Sequence, residues 1–282
     1  MTATHPFQQR ILLAFDFDWT LGEDSFERLV AVMGFNVDTW KSDFYRPLGD
    51  NGWDDILAKF EGLRRMCVAA GKTVTIADVE EAGRTTRGFA GAETMPERLR
   101  AVARAVDPAV ELEFAIVSSG YRDVFGAHPV ASAFDRTFGS RLDVEESGAV
   151  RGVRSMISHP EKVRYIQALA KGIDTDGANA PSRTNADKSE ADLRVAFDQL
   201  VYVGDGASDL QAFEFVRSVG GFAIAVSRDG GFAAEGEMLQ AQRPDALAPP
   251  GYDDGAPLFE VLAHAVRSHA SRIALRRMGR DR

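Results

Sequence analysis

The sequence predicts an α/β fold: a Rossmann-like parallel sheet core with an α-helical cap inserted into it. Three observations carry this. Short apolar runs at 11–17, 112–118, 201–204 and 222–226 are greasy on both faces, as strands covered on both sides must be. Helical patterns separate them, at 95–106, 160–171, about 190–199 and 208–218, and strands alternating with helices imply parallel pairing. The first two strands are held apart by about ninety residues, far more than one crossover helix uses.

Composition sets the limits around that fold. A chain of 282 residues, 45% hydrophobic and 27% charged, can bury a full core with room for an insertion. No apolar run approaches the ~18 residues of a membrane span, so no membrane partner is expected. The opening MTATHPFQQR has neither the charged start nor the apolar middle of a secretory signal, and one cysteine leaves no intramolecular disulfide. Both point to the cytoplasm. A net charge of −9 disfavours nucleic acid as a partner.

The first strand, ILLAF, runs into Asp16, Phe17 and Asp18. Period-two alternation sends both carboxylates to one side and Phe17 to the other. Two acids beside apolar surface need a cation or a shared proton. Residues 24–33, 53–70 and 76–83 then read as helices, divided by loops such as RPLGDNG at 46–52. An insertion directly after a strand's carboxyl end covers whatever sits there, so 23–90 is the expected cap, and the core comprises 1–22 and 91–257. Cys67 shares a stripe with Ile56, Phe60 and Leu63, which reads as core packing. AGKT at 70–73 imitates the end of a phosphate-binding loop, but Met66 stands where that loop needs glycine.

The second strand ends in Ser118, Ser119 and Gly120, with a helix expected to start around the last two. Residues 136–153, with Gly148 at a turn, read as an antiparallel edge hairpin. SHPEK at 158–162 opens a helix with Ser158 and Glu161 at capping-box spacing. Lys162, in that helix's first turn, works against a dipole that favours acids there, so it points to an anionic partner. The alternative is a lysine that reaches solvent. Residues 172–190 are polar and read as a loop, in which DTDGAN imitates a calcium loop with its glycine misplaced.

The third strand ends in GDGASD, with Asp205 and Asp209. Residues 243–257 read as a linker to a final segment, 258–282. There Leu258, Leu262, Val266, His269 and Ile273 form one stripe, which docks on the core or on a second subunit as a homo-oligomer contact. The end is basic: 264–282 carry six arginines against one acid, Asp281. That is either a solvated helix face or a surface for an anionic partner.

Ligands of open α/β sheets lie beyond the strands' carboxyl ends, so Asp16, Asp18, Ser118, Lys162 and Asp205 can converge. In this order DFDWTL, AIVSSG, Lys162 and GDGASD resemble the four motifs of the haloacid dehalogenase (HAD) superfamily, over about 11–226. Cap placement and GDGASD are most similar to its phosphoserine phosphatase-like branch, whose caps belong to the first cap class. The resemblance implies a Mg²⁺-dependent phosphomonoester hydrolase, acting through an aspartyl-phosphate on a small phosphorylated metabolite. It implies Asp16 as nucleophile and Asp18 as acid, then base, chemistry that suits two carboxylates at a strand end. Ser118, Ser119, Gly120 and Lys162 would hold the phosphate. Asp16, Asp205 and the Asp18 carbonyl would hold Mg²⁺, with Thr20, Gly206 and Asp209 in support.

Other readings stay open. A phosphomutase keeps the same motifs. A catalytically silent binding protein keeps the fold, and its cheap mark, loss of Asp16 or Asp205, is missing here. Asp209 also reads as an ordinary helix-start acid, Thr20 as a turn hydroxyl on its own backbone, and His159 as a loop or capping residue. For substrate selection the candidates are Trp19 at the core's mouth and Arg46, Arg64, Arg84 and Arg87, each arginine also reading as surface.

Overall fold

In the computed structural model, which describes residues 8–175, 184, 188–227 and 242–280, the apolar run ahead of Asp16 is a central strand, β1 (Arg10–Phe15). It pairs in parallel with β2 (Glu111–Tyr121) on one side and β5 (Leu200–Gly204) on the other. Beyond β2 lies β3 (Arg136–Val144), and beyond β5 lie β6 (Phe222–Val226) and β7 (Ala246–Ala248), all parallel. Among the described strands only β4 (Val150–Ser155) is antiparallel, at the β3 edge, which gives the order β4-β3-β2-β1-β5-β6-β7. The 136–153 stretch is therefore the expected edge hairpin. Gly148, at φ +85°, supplies the left-handed residue in its turn.

The long insertion between β1 and β2 is helical. It contains α1 (Ser25–Val32), α2 (Val37–Thr39), a π-helical turn at Trp40–Tyr45, α3 (Arg46–Asp50), α4 (Asp55–Ala69) and α5 (Ile76–Thr85). RPLGDNG, expected as a loop, is mostly α3, because a proline is tolerated in a helix's first turn, where its missing N–H has no partner to lose. Phe26, Leu29, Trp40, Phe60, Leu63 and Cys67 form the insertion's own core. That core also takes in Tyr121 and Val124 and the hairpin residues Leu142 and Val150, so the insertion is packed down onto the sheet's edge. Cys67 is packing, as expected, and burial pushes its thiol up to about 11. The AGKT lysine, Lys72, donates to the Met33 carbonyl at 2.6 Å and belongs to a turn of the insertion.

The strands' alternation builds two layers. On one face Ile11, Leu13, Phe15, Phe114 and Ile116 meet α6 (Met95–Val106) and the final helix, α10 (Pro257–Arg280). On the other, Leu12, Ala14, Ala115 and Val117 meet α8 (Glu161–Lys171) and α9 (Leu210–Ser218). A short helix, α7 (Arg122–Phe125), follows β2 directly.

Two expectations change, and a third falls largely outside the described residues. The helix over about 190–199 is instead two 3₁₀ turns, Glu190–Asp192 and Phe197–Gln199. Between them Leu193 and Val195 are both buried, a period-two pattern, and the N–H groups of Arg194 and Val195 share the Ala170 carbonyl. The 243–257 linker contains β7, a strand too short to register against its proline-rich flank. The 172–190 loop, with its DTDGAN, falls largely outside the described residues.

The final helix docks as its stripe requires: Leu258, Leu262, Val266, His269 and Ile273 are all buried. Three of its arginines are tied to the chain itself. Arg276 pairs with Asp198, Arg277 reaches Asp107 at 2.7 Å, and Arg272 donates to the Asp198 carbonyl. The basic end, as far as it is described, is thus anchored to the core. No described helix is long and apolar enough to cross a membrane.

His269 makes this docking sensitive to acid. Burial, with the Arg272 guanidinium 2.6 Å from Nδ1, pulls its pKa down to about 4. An unfolded histidine titrates at about 6.5, so between these values the unfolded chain binds a proton that the folded chain does not. The contribution of His269 to stability is therefore fully present above about pH 6.5 and is lost toward pH 4, by on the order of 3 kcal/mol. Asp198 is held low by Arg276 against the effect of its own burial, and it titrates below that window. Buried Asp16, Asp18 and Asp205, whose pKa values are raised, slope the other way. The His269 contribution is therefore the difference between wild type and His269→Gln in urea denaturation across pH 4–7, and that difference should grow toward pH 4.

Candidate active site

The register of the sheet fixes where the chemistry sits. Phe15 stands opposite Ile116 of β2 and Val203 of β5, so the three chains leave the sheet at one level. Asp16 remains tied there, its N–H donating to the Val203 carbonyl at 2.8 Å. Phe17 turns into the core and stacks on Phe125, with ring centroids 5.0 Å apart. Asp16 and Asp18 instead line one cavity of about 200 Å³, together with Ser118, Ser119, Gly120 and Asp205. The alternation expected of the DFD stretch holds.

Lys162 is buried with 0% of its side chain exposed. Its Nζ donates to Asp16 Oδ2 at 2.8 Å, to Asp209 Oδ1 at 2.6 Å and to Ser208 Oγ at 3.3 Å. Burial pulls its pKa down, but the two carboxylates push it further up, so it stays an ammonium. The solvent-reaching alternative fails. The capping box beside it forms only in part: the Ser158 N–H donates to Glu161 Oε2 at 3.2 Å, while the Ser158 hydroxyl turns to that same carboxylate and leaves the helix start without a side-chain cap.

Asp209 is both of the things its position suggested. Its Oδ2 accepts the N–H groups of Asp205 and Gly206, at 3.0 and 3.1 Å, which closes the turn after β5. Its Oδ1 accepts from Lys162 and, at 2.6 Å, from the Tyr202 hydroxyl. A Cβ at Gly204 would lie 2.3 Å from the Asp209 carboxyl carbon, so only glycine admits this carboxylate. Gly120 is required for the same kind of reason: a Cβ there would come within 2.8 Å of Asp18 Oδ2.

The end of β2 differs from expectation. The strand continues to Tyr121 and the helix starts at Arg122, so Ser119 and Gly120 are not a helix start. The Gly120 N–H is taken by Ser118 Oγ at 3.0 Å, while the Ser118 hydroxyl acts on Asp16. Ser119 Oγ is buried, lines the cavity and has no hydrogen-bond partner among the described residues. Thr20 is fully buried, yet its hydroxyl makes neither a turn bond nor a contact to the acids; its carbonyl accepts the Tyr252 hydroxyl at 2.7 Å.

Carboxylate oxygens of Asp16, Asp205 and Asp209 lie within 4.8 Å of one another. Each Asp209 oxygen accepts at least two hydrogen bonds, whereas the Asp16 oxygens accept one from Lys162 and one from the Phe17 N–H, so Asp16 and Asp205 are the pair with more room for a ligand. Burial raises the Asp16 pKa and Asp209 adds to this, against Lys162. Burial and then Asp209 push Asp205 up to about 8, and no described donor hydrogen-bonds its side chain. Asp18 is pushed up to about 7 by burial and by Asp24, although the Ser25 N–H donates to its Oδ1 at 2.8 Å. An all-oxygen donor set with negative charge left over suits a hard divalent cation such as Mg²⁺. The residues fit the ion.

The cavity's outer wall was missed by the sequence. It consists of Asp24, Phe26, Asp55, Ile56 and Lys59, from the starts of α1 and α4, with Trp19 and His159 alongside. Asp24 and Asp55 read as plain helix-start acids. Lys59 had one available signal, its place three residues after Ile56 and four before Leu63, inside the buried stripe of α4. Of the selection candidates only Trp19 lines the cavity; Arg64 pairs with Glu61 and Arg84 with Glu80 and Glu81, Arg87 with Glu23, and Arg46 is exposed.

Comparison of the whole chain with solved structures gives matches across most of its length. A phospho-aspartyl intermediate analogue of phosphoserine phosphatase matches with a TM-score of 0.55 at 19% identity, over 90% of this chain and 98% of that one. The substrate-bound phosphoserine phosphatase complex gives the same figures. The chain has the haloacid dehalogenase fold. A HAD family hydrolase from Salmonella enterica subsp. enterica serovar Typhi matches at TM-score 0.52 and 18% identity, over 77% of this chain but 62% of its own. No protein-family model and no curated protein matches the sequence. At these identities the likeness is one of haloacid dehalogenase fold, and what each residue does must come from the geometry.

That geometry makes a stability prediction. Lys162→Met should cost about 3–5 kcal/mol, because it leaves buried Asp16 and Asp209 carboxylates without their cation. Adding Asp209→Asn, whose amide still accepts the two backbone N–H groups, should recover part of that loss. Urea denaturation of the two single variants and the double variant would read the coupling, and simple additivity would contradict it.

Proposed function

We propose that the chain is a Mg²⁺-dependent phosphomonoester hydrolase in which Asp16 becomes transiently phosphorylated. The observation that supports this most is the Lys162 bridge. It holds one oxygen of a buried carboxylate, the Phe17 N–H holds the other at 2.7 Å, and that carboxylate lines a cavity that a second acid, Asp18, also lines. We place the core at 1–22 and 91–257 and the cap at 23–90. In support, the two links run side by side, with the Glu23 N–H on the Arg87 carbonyl and the Phe89 N–H on the Leu21 carbonyl, each at 2.9 Å.

In this reading an Asp16 oxygen attacks phosphorus and the ester P–O bond breaks. The Asp18 carboxyl gives its proton to the departing oxygen. The resulting Asp18 carboxylate then takes a proton from water, which attacks phosphorus and releases phosphate from Asp16. Lys162, Ser118 and the unpartnered Ser119 hydroxyl hold the phosphoryl oxygens, beside the glycine backbone at 120. Asp209 and Gly206 fix the turn that carries Asp205, and Thr20 packs beneath. Asp16 and Asp205 would hold Mg²⁺, with the Asp18 carbonyl as a third ligand implied by the motif resemblance; when bound, it supplies neutralising charge for the phosphoryl group.

Removal of divalent cations should abolish hydrolysis of p-nitrophenyl phosphate, and Mg²⁺ should restore it. Beryllium fluoride should protect the protein against thermal unfolding, and Asp16→Asn should not show that protection. Undiminished turnover after thorough chelation would overturn the proposal.

Asp18 carries the finer test. An aryl phosphate has a leaving group that barely needs protonation, so its first step should survive Asp18→Asn, while hydrolysis of the aspartyl-phosphate loses a base worth roughly 10²–10⁴-fold. Rapid mixing should show a burst of nitrophenol equal to the enzyme present, then slow turnover. Wild-type steady turnover in this variant would remove Asp18 from the role.

A further inference from the structure

The cavity's two ends differ in charge. At the inner end Lys162 faces the place assigned to the phosphoryl group. At the outer end Asp24 and Asp55 are joined by one cation, Lys59, whose ammonium lies 3.8 Å from the Asp55 carboxylate. Lys59 is not a free cation: Asp24, Asp55 and Asp18 all act on its charge, and its side chain is 29% exposed. Among the described residues no arginine lines this wall.

Charge balance then selects the substrate. Around the cavity stand Asp16, Asp18, Asp24, Asp55 and Asp205, with Asp209 directly behind. Against them stand Lys162, Lys59 and one divalent cation. Even with Asp18 protonated, the negative charges outnumber the positive, and a phosphomonoester brings more. A leaving group bearing a carboxylate would meet Asp24 and Asp55 with no unshared cation to receive it, in a confined site where like charges repel strongly. A leaving group bearing an ammonium relieves the same excess. Trp19, Phe26 and Tyr121 line the cavity too, and a cation is the charge that aromatic faces favour.

We infer, resting on the phosphatase reading, that the substrates are phosphomonoesters of small amino alcohols, a primary or quaternary ammonium being received by Asp24 and Asp55. These two are specificity-determining residues, and Lys59 sets the depth of the negative field.

The test uses matched probes. For the full-length protein with Mg²⁺, kcat/KM for O-phosphoethanolamine should exceed that for phosphoglycolate by about tenfold or more, a ratio that one well-placed charge contact supplies. Calorimetry with the non-hydrolysable analogues should give the same order in binding, 3-aminopropylphosphonate ahead of 3-phosphonopropionate. Asp24→Asn keeps the cap of α1, since asparagine caps equally well, and Asp55→Asn sits on an exposed first turn; each should shrink the ratio. Lys59→Gln should enlarge it. Opposite movements by acids and lysine are what a structural role would not produce. Equal or better binding of the carboxylate analogue by the wild type, or ratios unmoved by these variants, would overturn the inference while leaving the phosphatase reading intact. If neither analogue binds and no phosphomonoester turns over, the phosphatase reading itself falls, and the inference with it.

Discussion

A single buried ammonium constrains most of this structure. Lys162 has no exposed surface, and an isolated charge in such a place would cost many kcal/mol. It is tolerable only because two carboxylates reach it, one 146 residues away in sequence and one 47. Bringing them within 3 Å requires β1 and β5 to be neighbours in register and α8 to start beneath their ends. Gly204 must lack a side chain, and the Tyr202 hydroxyl must occupy the remaining side of Asp209. The parallel sheet delivers all of this at one level, so the element that closes the fold also orients Asp16, one of the carboxylates that line the cavity.

The turn after β1 is held just as firmly, and from the other side. The Phe17 carbonyl accepts N–H groups from Thr20, Leu21 and Gly22, and Tyr252, far along the chain, clamps Thr20 by its carbonyl. Within this turn Trp19 adopts φ +56°, a left-handed conformation that a bulky residue takes at a cost of roughly 1–2 kcal/mol. Glycine would avoid that cost. The surrounding bonds over-determine the turn, which lets an indole stand at the cavity's mouth where the backbone alone would favour no side chain.

How much of this was legible in the sequence depends on the kind of signal. The central strands and the Asp16, Ser118, Lys162 and Asp205 convergence were readable because each group ends an apolar run or opens a helix, and the sheet's topology does the rest. Lys162 was readable for a second reason: it contradicts its local electrostatics. Residues 190–199 were misread because Leu193, Val195 and Phe197 alternate over too few positions to outweigh the charged residues between them. β7 escaped because three residues carry no period. The end of β2 was misread since Gly120 resembles a helix start, while its actual requirement is the close approach of Asp18, a contact between distant elements. Lys59, Asp24 and Asp55 were hidden for the same reason. Their local roles in helix starts and stripes are complete in themselves, and only the packing of the insertion against the strand ends turns them toward one cavity.

Those helix starts also bear on how the proposed phosphatase site would orient a substrate. The first turns of α1 and α4 both border the cavity, and bare helix starts would attract a phosphate there as readily as the strand ends do. Asp24 accepts the N–H groups of Phe26 and Glu27, each at 2.9 Å, and Asp54 accepts that of Ile56 at 3.0 Å, with Asp55 adding a further acid beside it. The insertion's two candidate anion sites are thereby filled by its own carboxylates. What remains attractive to a phosphoryl group is the inner end alone, where Lys162 and the hydroxyls of Ser118 and Ser119 sit beside Asp16. On the proposed reading, the same acids that stabilise the helices would therefore deny the phosphate a second resting place, and a phosphomonoester would be left with one direction in which to lie.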